Sequence, residues 1–295
     1  MIKISRTVLI FLLVPLFVHT QNVDLKVMTF NVRYDNPNDG AFGWALRKPL
    51  VIGVIREVNP DIIGFQEPLD NQVTELQEKL SDYFKVGVAR DDGKRSGEYN
   101  PIFYKVDRFE KKSEGTFWLS ETPNKAGSRS WNAACNRLVT WVKLKDQRSR
   151  KKLFVFNTHF DHVSEEARIQ SAHLLLSAIQ QVAGDEWVVV TGDFNDMEGS
   201  AMYRILTGSN IELTLINTAR ISRNPPAGPP YTYIGFPFKP QDGDVIDFIF
   251  TKNNRSVTVT GHSVITFHRD DQYPSDHLPV STTFEIKLKK RNYGF

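Results

Sequence analysis

Amides, acids and histidines recur in this sequence directly beside short apolar runs. Asn31 closes a run that begins at Leu25, and Glu67 follows 61–66. His159 and Asp161 follow 153–158, and Asp193 and Asn195 follow 187–192. Asp247 lies inside 245–251, while Asp276 and His277 come just before Leu278. One such residue alone is a turn former or a helix cap. Repeated along the chain they make a set, because a charged group at the end of a core-facing strand needs a partner or a metal. Oxygen ligands from Asn, Glu and Asp suit Mg²⁺ or Mn²⁺, hard cations that keep several waters and bind substrate phosphate. No His/Cys cluster at zinc spacing occurs, which argues against structural zinc.

Strands must position these groups, and the apolar alternation predicts them at 24–32, 61–65, 102–106, 138–144, 153–158, 187–191, 245–251 and 278–286. Helical spacing is clearest over 164–183, where Ile169, Ala172, Leu176, Ile179 and Val182 recur. Ser164 supplies an N-cap there, and Glu165 and Glu166 suit the first turn. Further helices are expected at 48–58 and 70–80. Residues 90–100 are rich in Gly and charge, and 222–230 contain four prolines, so both are read as loops. Strands with intercalated helices point to an α/β (α+β) layered domain.

Neither a low-complexity linker nor an internal repeat divides the chain, so residues 21–295 are read as one domain. Residues 1–20 differ: Lys3 and Arg6 precede an uncharged apolar run over 7–18. That pattern reads as a signal peptide and an exported, periplasmic or secreted, protein. An uncleaved N-terminal anchor is the alternative. Val18 and Thr20 are acceptable for cleavage before Gln21, and no Cys follows the run to carry a lipid. Cys135 is the sole cysteine, which excludes an intrachain disulfide and reads as a small buried hydrophobe rather than a nucleophile.

The formal charge is +3, and residues 1–20 carry two positives and no acid, leaving about +1 for the remainder. Lys287, Lys289, Lys290 and Arg291 crowd the C-terminus, so the body is close to neutral. The basic stripe by which proteins usually grip nucleic acid is missing. Nucleic acid is therefore a possible partner that the charge does not favour; no stable protein partner is indicated, and no membrane span beyond the N-terminal segment.

Six stretches in order carry a resemblance: Thr29-Phe30-Asn31-Val32-Arg33, Gln66-Glu67, Asn157-Thr158-His159, Gly192-Asp193-Phe194-Asn195, Ile246-Asp247-Phe248-Ile249 and Ser275-Asp276-His277-Leu278-Pro279. Together they resemble the motif set of the endonuclease/exonuclease/phosphatase superfamily of metal-dependent phosphoesterases. Trp131-Asn132-Ala133-Ala134-Cys135 and Thr158-His159-Phe160-Asp161-His162 look most like its exported bacterial members. The resemblance implies a four-layer α/β/β/α sandwich of the deoxyribonuclease-like type, with the site where loops converge at one end.

It also implies roles. Glu67 is the principal ligand of Mg²⁺ or Mn²⁺, with Asn31 and Asp276 as direct or water-mediated partners. Asp193 orients or deprotonates the attacking water, and Asn195 holds that water or the phosphate. His277 and His159 flank the phosphate, their partners being Asp247 and Glu98 respectively, although Glu98 also reads as a solvated surface acid. Arg137 either touches phosphate or pairs with an acid. Thr232 is a phosphate-side hydroxyl or a turn former. Asp161 and His162 are candidates to read the substrate. Trp44, Trp131, Phe236 and Phe238 are candidate platforms at the mouth, with buried packing as the ordinary alternative.

Related nucleases commonly carry an Arg after Gln-Glu, whereas Pro68-Leu69-Asp70 stands here. The expected activity is hydrolysis of a small or surface phosphodiester with water activated by the cation. A secreted nuclease, a phosphomonoesterase on the same scaffold, or a non-catalytic binder of phosphorylated ligands are the alternatives.

Overall fold

In order, the chain forms β1 (Val23–Asn31), α1 (Trp44–Val58), β2 (Ile62–Gln66), α2 (Asp70–Lys79), β3 (Tyr83–Val86), β4 (Ile102–Lys105), β5 (Phe109–Trp118), β6 (Leu138–Asp146), β7 (Lys152–His159), α3 (Glu165–Ala183) and β8 (Trp187–Asp193). There follow α4 (Ala201–Thr207), β9 (Leu215–Asn217), α5 (Thr218–Ile221), β10 (Asp247–Lys252), β11 (Val257–Val264) and β12 (Val280–Ile286). The computed structural model describes residues 22–208, 213–237 and 244–288. The expected signal peptide, Phe238 and the basic residues 289–291 lie outside them. No helix among the described residues is long and apolar enough to cross a membrane.

Strands assemble into two six-stranded sheets, ordered β11-β12-β1-β2-β4-β3 and β5-β6-β7-β8-β10-β9. Period-2 alternation explains how they stack. Leu25 and Val27 of β1, Ile62 of β2, Leu153 and Val155 of β7, Val189 of β8 and Ile249 of β10 share one apolar layer between the sheets. Their alternates face outward. Met28, Phe30, Ile63 and Phe65 pack under α1 and α2, and Phe154, Phe156, Val188, Val190, Phe248 and Phe250 under α3 and α4. The result is the four-layer α/β/β/α sandwich.

Following the inward-facing positions toward the strands' far ends, the residues turn polar: Thr29 then Asn31, Gln66, Asn157 then His159, Thr191 then Asp193. Thr29, Gln66, Asn157 and Thr191 form a buried bonded tier beneath the strand ends. Gln66 Nε2 donates to Thr29 Oγ1 (3.0 Å) and Asn157 Oδ1 (2.7 Å), and Thr191 Oγ1 donates to Asn157 Oδ1 (3.0 Å). Asn157 Nδ2 is satisfied by the carbonyls of Phe65 and Pro101. Gly64 makes this approach possible, because a Cβ there would lie 2.2 Å from Thr191 Oγ1.

α3 begins as its sequence dictates, with Ser164 Oγ accepting from Ala167 N. α1 starts earlier than expected, at Trp44. Arg47 inside it is buried and donates to the carbonyls of Val32, Arg33, Phe42 and Pro274, fastening the β1–α1 connection to the segment before β12. Far from that end, in the loop that leads into β5, buried Arg108 binds Asp61 (2.7 Å) and Asp146 (3.1 Å). β3, β5, β9 and β11 were not foreseen; β3, β5, β9 and β11 are the four sheet edges.

Candidate active site

Two parallel pairs aim the polar groups at one place. β1 and β2 run parallel with Asn31 opposite Gln66, and β7 and β8 run parallel with His159 opposite Asp193. β10 runs antiparallel to β8, which sets Asp247 beside Asp193. The chain then turns sharply: Arg33, Glu67 and Asn195 all have positive φ (56°, 73° and 50°). For side chains other than glycine such backbone costs about 1–3 kcal/mol each and persists only where surroundings enforce it. Here the enforcing bonds are visible. Tyr34 N donates to Glu67 Oε2 (3.0 Å), Asn31 Nδ2 to Glu67 Oε1 (2.9 Å), and Asn195 N to Asp193 Oδ1 (2.9 Å).

Asp193 is the hub. Its Oδ2 accepts from Asn31 Nδ2 (2.9 Å) and lies 3.4 Å from His159 Nε2 and 3.7 Å from His277 Nε2. The Nδ1 of His277 is 2.9 Å from Asp247 Oδ2. Asn195 Nδ2 lies 2.9 Å from His159 Nε2 and donates to the Phe160 carbonyl. A cleft of about 630 Å³ opens over Glu67, Asp193, Asn195, His159, Asp276 and His277, walled by Arg33, Tyr34, Tyr233, Arg90, Arg137 and His162.

The environment sets the charges. Burial, then the Asp247 carboxylate, pushes Asp193 up to about 7. Burial would depress His277, but the negative charges of Asp247 and Asp193 outweigh it and hold the ring charged well above its ordinary range. His159 is driven the other way, by burial and then by the charges of Arg137 and Arg90, and is neutral. Burial would raise Glu67, yet the Asn31 bond and the His277 charge keep it below its usual value. Asp276 is raised by burial.

The donor set fits a hard cation. Ligand atoms of Glu67, His159 and Asp193 lie within 4.8 Å of one another, and Asp276 lines the same cleft. Asn31 has turned its Nδ2 to the two carboxylates, so Oδ1, which already accepts Arg33 N (3.0 Å), is its one oxygen for a cation. Asp193, Asp247 and His277 also cluster within that distance, but Asp247 and His277 are already bonded to each other. Oxygen-rich ligation beside a neutral imidazole suits Mg²⁺ or Mn²⁺.

Several expected roles need correction. Glu98 does not hold His159; it accepts from Arg90 Nη1 (2.6 Å), and His159 Nδ1 has no hydrogen-bond partner. The loop over 90–100 folds back so that Arg90 N donates to Glu98 O, which sets the two side chains across from each other. Glu98 is not a solvated surface acid either: burial, then the charge of Glu67, pushes it up to about 7. Asp161 is no substrate reader, since its oxygens accept from the amides of Ala134, Cys135, Val163 and Ser164. Thr232 Oγ1 accepts from Ile246 N and Asp247 N and borders a separate cavity of about 530 Å³, so it braces Asp247.

Trp44 is buried and donates to Glu75, away from the mouth, and Phe236 stacks on Phe42 at 4.7 Å. Trp131 is half-buried, and its carbonyl accepts from Ser164 Oγ. Cys135 is half-buried in the cleft wall rather than in the core. His162 and Arg137 do face the cleft, 3.0 Å apart. Arg33, Tyr34, Arg90 and Tyr233 were missed. Arg33 stood inside a quoted motif, two residues after Asn31, and proximity was the available signal.

Comparisons agree with this geometry. The model of the Endonuclease/Exonuclease/phosphatase family matches residues 28–277. A solved endonuclease/exonuclease/phosphatase from Bacteroides vulgatus is 39% identical, with a TM-score of 0.84, over 90% of this chain and 100% of that one. A mannosyl-6-phosphatase of Bacteroides thetaiotaomicron is 30% identical, with a TM-score of 0.81, over 88% of this chain and 99% of that one. Protein L388 of Acanthamoeba polyphaga mimivirus is 28% identical over 277 residues, 88% of this chain and 100% of its own. The chain belongs to the endonuclease/exonuclease/phosphatase family.

Proposed function

We propose that this protein is a divalent-metal-dependent hydrolase of phosphate esters. The observation that carries the reading is the convergence on Asp193 of Asn31, His159, Asn195 and His277, with Glu67 bonded to the same Asn31 amide. An Asp held near neutrality is suited to accept a proton from water. Asn195, braced by Asp193 and the Phe160 carbonyl, helps to orient that water. His277, kept protonated by Asp247, faces negative charge that develops on phosphate oxygens. As the bond from water oxygen to phosphorus forms, the ester P–O bond breaks. One water proton passes to Asp193, the departing alkoxide takes a proton from solvent to leave as an alcohol, and Asp193 then returns its proton to solvent. Mg²⁺ or Mn²⁺ at Glu67, with Asp276 and Asn31 beside it, would neutralise charge on a non-bridging phosphate oxygen.

Within this reading a diester is the activity expected from the motif set. The mannosyl-6-phosphatase relative supports a second reading, a phosphomonoester on a small polar alcohol. A nuclease is less well supported: Pro68-Leu69-Asp70 follow Gln-Glu where nucleases commonly carry an Arg, and Asp70 pairs with Arg95 and Tyr99. Export through residues 1–20 belongs to the same proposal, and N-terminal sequencing of the chain from the producing cell tests it.

The test of the activity is a substrate panel with the purified protein. It compares 4-nitrophenyl phosphate, bis(4-nitrophenyl) phosphate, sugar phosphates, inositol phosphates, sphingomyelin, RNA and plasmid DNA, each with Mg²⁺, Mn²⁺ or a chelator. Turnover abolished by the chelator supports the reading. Binding without turnover of any member would leave a non-catalytic phospho-ligand binder.

A further inference from the structure

Among the described residues, Arg108, Arg47 and Arg137 are buried arginines, and they differ in how their guanidinium groups are satisfied. Arg108, 1% exposed, is held by two carboxylates, and Arg47, 2% exposed, by four carbonyls. Arg137, 4% exposed, is different. Its Nη2 lies 3.0 Å from His162 Nδ1, while Nε and Nη1 are buried with no hydrogen-bond partner. The carboxylate beside it, Asp161, is 3.8 Å away and already accepts from four backbone amides. Neighbouring Arg90 has its own acid in Glu98, bonded through Nη1, and leaves its buried Nε without a hydrogen-bond partner. A guanidinium does not lose its proton, so Arg137 is a buried cation in the wall of the cleft whose ion pair with Asp161, at 3.8 Å, is made without a hydrogen bond. Such a group is costly to keep unless something else supplies hydrogen-bond acceptors for Nε and Nη1.

We propose that Arg137 receives the terminal oxygen that a phosphomonoester has and a diester lacks, so that the cleft is built for a terminal phosphate dianion. This rests on the hydrolase reading above. A diester phosphate is a monoanion with two terminal oxygens, which the groups around Glu67 and Asp193 can address. In a monoester dianion a third terminal oxygen shares the charge and can accept from a planar guanidinium. In a diester that position carries carbon, which has no charge to offer and would press against Arg137. The hydrolysis then yields an alcohol and inorganic phosphate, and the product should also bind through Arg137.

The experiment compares the full chain with Arg137→Ala and Arg137→Lys, using 4-nitrophenyl phosphate, bis(4-nitrophenyl) phosphate and inorganic phosphate. The wild type should prefer the monoester. Arg137→Ala should lower monoester kcat/KM by about 100-fold and weaken phosphate binding, measured by calorimetry, by at least about tenfold, the diester rate changing less than about threefold. Lysine should restore part of the loss. Thermal unfolding supplies a folding control: removing an unsatisfied cation should leave the Tm unchanged or raised, whereas a structural role would lower it.

Equal losses on both esters, or unchanged phosphate binding, would overturn the assignment. If the wild type cleaves only the diester and Glu67→Gln abolishes that, the hydrolase reading stands and Arg137 falls. If the wild type cleaves neither of these esters nor any other member of the panel above, the hydrolase reading fails, and phosphate calorimetry on the two proteins still decides for or against Arg137 as an anion site.

Discussion

Replacing Gly64 by alanine places a methyl group against side chains of the facing sheet. The added Cβ would lie 2.2 Å from Thr191 Oγ1 and 2.5 Å from Asn157 Oδ1, against an ordinary contact of 3.4 Å or more. About 1 Å of relief is needed, and neither neighbour is a flexible chain end. Asn157 is held by Gln66, Thr191 and two carbonyls, and Thr191 can rotate away only by giving up its bond to Asn157. Overpacking of this kind costs about 1–3 kcal/mol, and each weakened hydrogen bond about 1 kcal/mol more, so Gly64→Ala should destabilise by roughly 2–5 kcal/mol. The displaced strands lead into Glu67, His159 and Asp193, and an error of about 1 Å at a reacting centre can cost about 100-fold in rate.

Urea unfolding followed by fluorescence gives the first quantity and initial rates on the preferred ester the second. Thr191→Ala removes the closest atom, so the double variant should lose at least about 1 kcal/mol less than the sum of the single variants. A Gly64→Ala protein within about 0.5 kcal/mol of wild type, or strict additivity with Thr191→Ala, would refute the account of sheet approach.

Three further outcomes follow from particular residues. Asp247→Asn keeps the shape of the His277 partner but removes its charge, so turnover should fall by about 100-fold or more with an unfolding midpoint close to wild type; unchanged steady-state rates would exclude Asp247 as the group that holds His277 charged. His262, bonded between Thr218 and Thr282, is lowered by burial to about 4. The unfolded chain takes up that proton first, so the associated stability is fully present above about pH 6.5 and is lost toward pH 4, by about 3 kcal/mol in all. His262→Gln should flatten that part of the urea-unfolding profile, and an identical slope in both proteins would disprove it. Arg108→Met leaves Asp61 and Asp146 buried without their cation, and thermal and urea unfolding should register a loss of about 3–5 kcal/mol, with a change below about 1 kcal/mol contradicting it.

How much of this was legible in the sequence depended on burial. Strands such as β7 and β8 are covered on both faces and read as unbroken apolar runs ending in a polar residue. The edge strand β5 reads Phe-Glu-Lys-Lys-Ser-Glu-Gly-Thr-Phe-Trp, mostly exposed, and has no such run. It is a strand because β6 offers it backbone partners, and its charges suit an edge that must not recruit another chain. At the site, chain position was readable and side-chain direction was not. Asp193 and Asp247 come together because the register of β8 and β10 pairs them, and His277 reaches them from the segment that leads into β12. Asp161 and Thr232 sit in the expected stretches, yet their oxygens are taken by backbone amides. Glu98 met Arg90 because of how one loop folds back, a contact that no spacing rule announces. Arg137 could not be decided from sequence, since its meaning lies in what its guanidinium fails to touch.

The most direct measurement of the central claim is calorimetric titration of Mg²⁺ and Mn²⁺ into the wild type and Glu67→Gln, with ester turnover recorded on the same samples. Cation binding by the wild type, weakened at least about tenfold in Glu67→Gln together with a loss of turnover, is the result this geometry demands. A Glu67→Gln protein that binds the cation and turns over its ester like the wild type would show that the carboxylates and imidazoles gathered around Asp193 serve some other end.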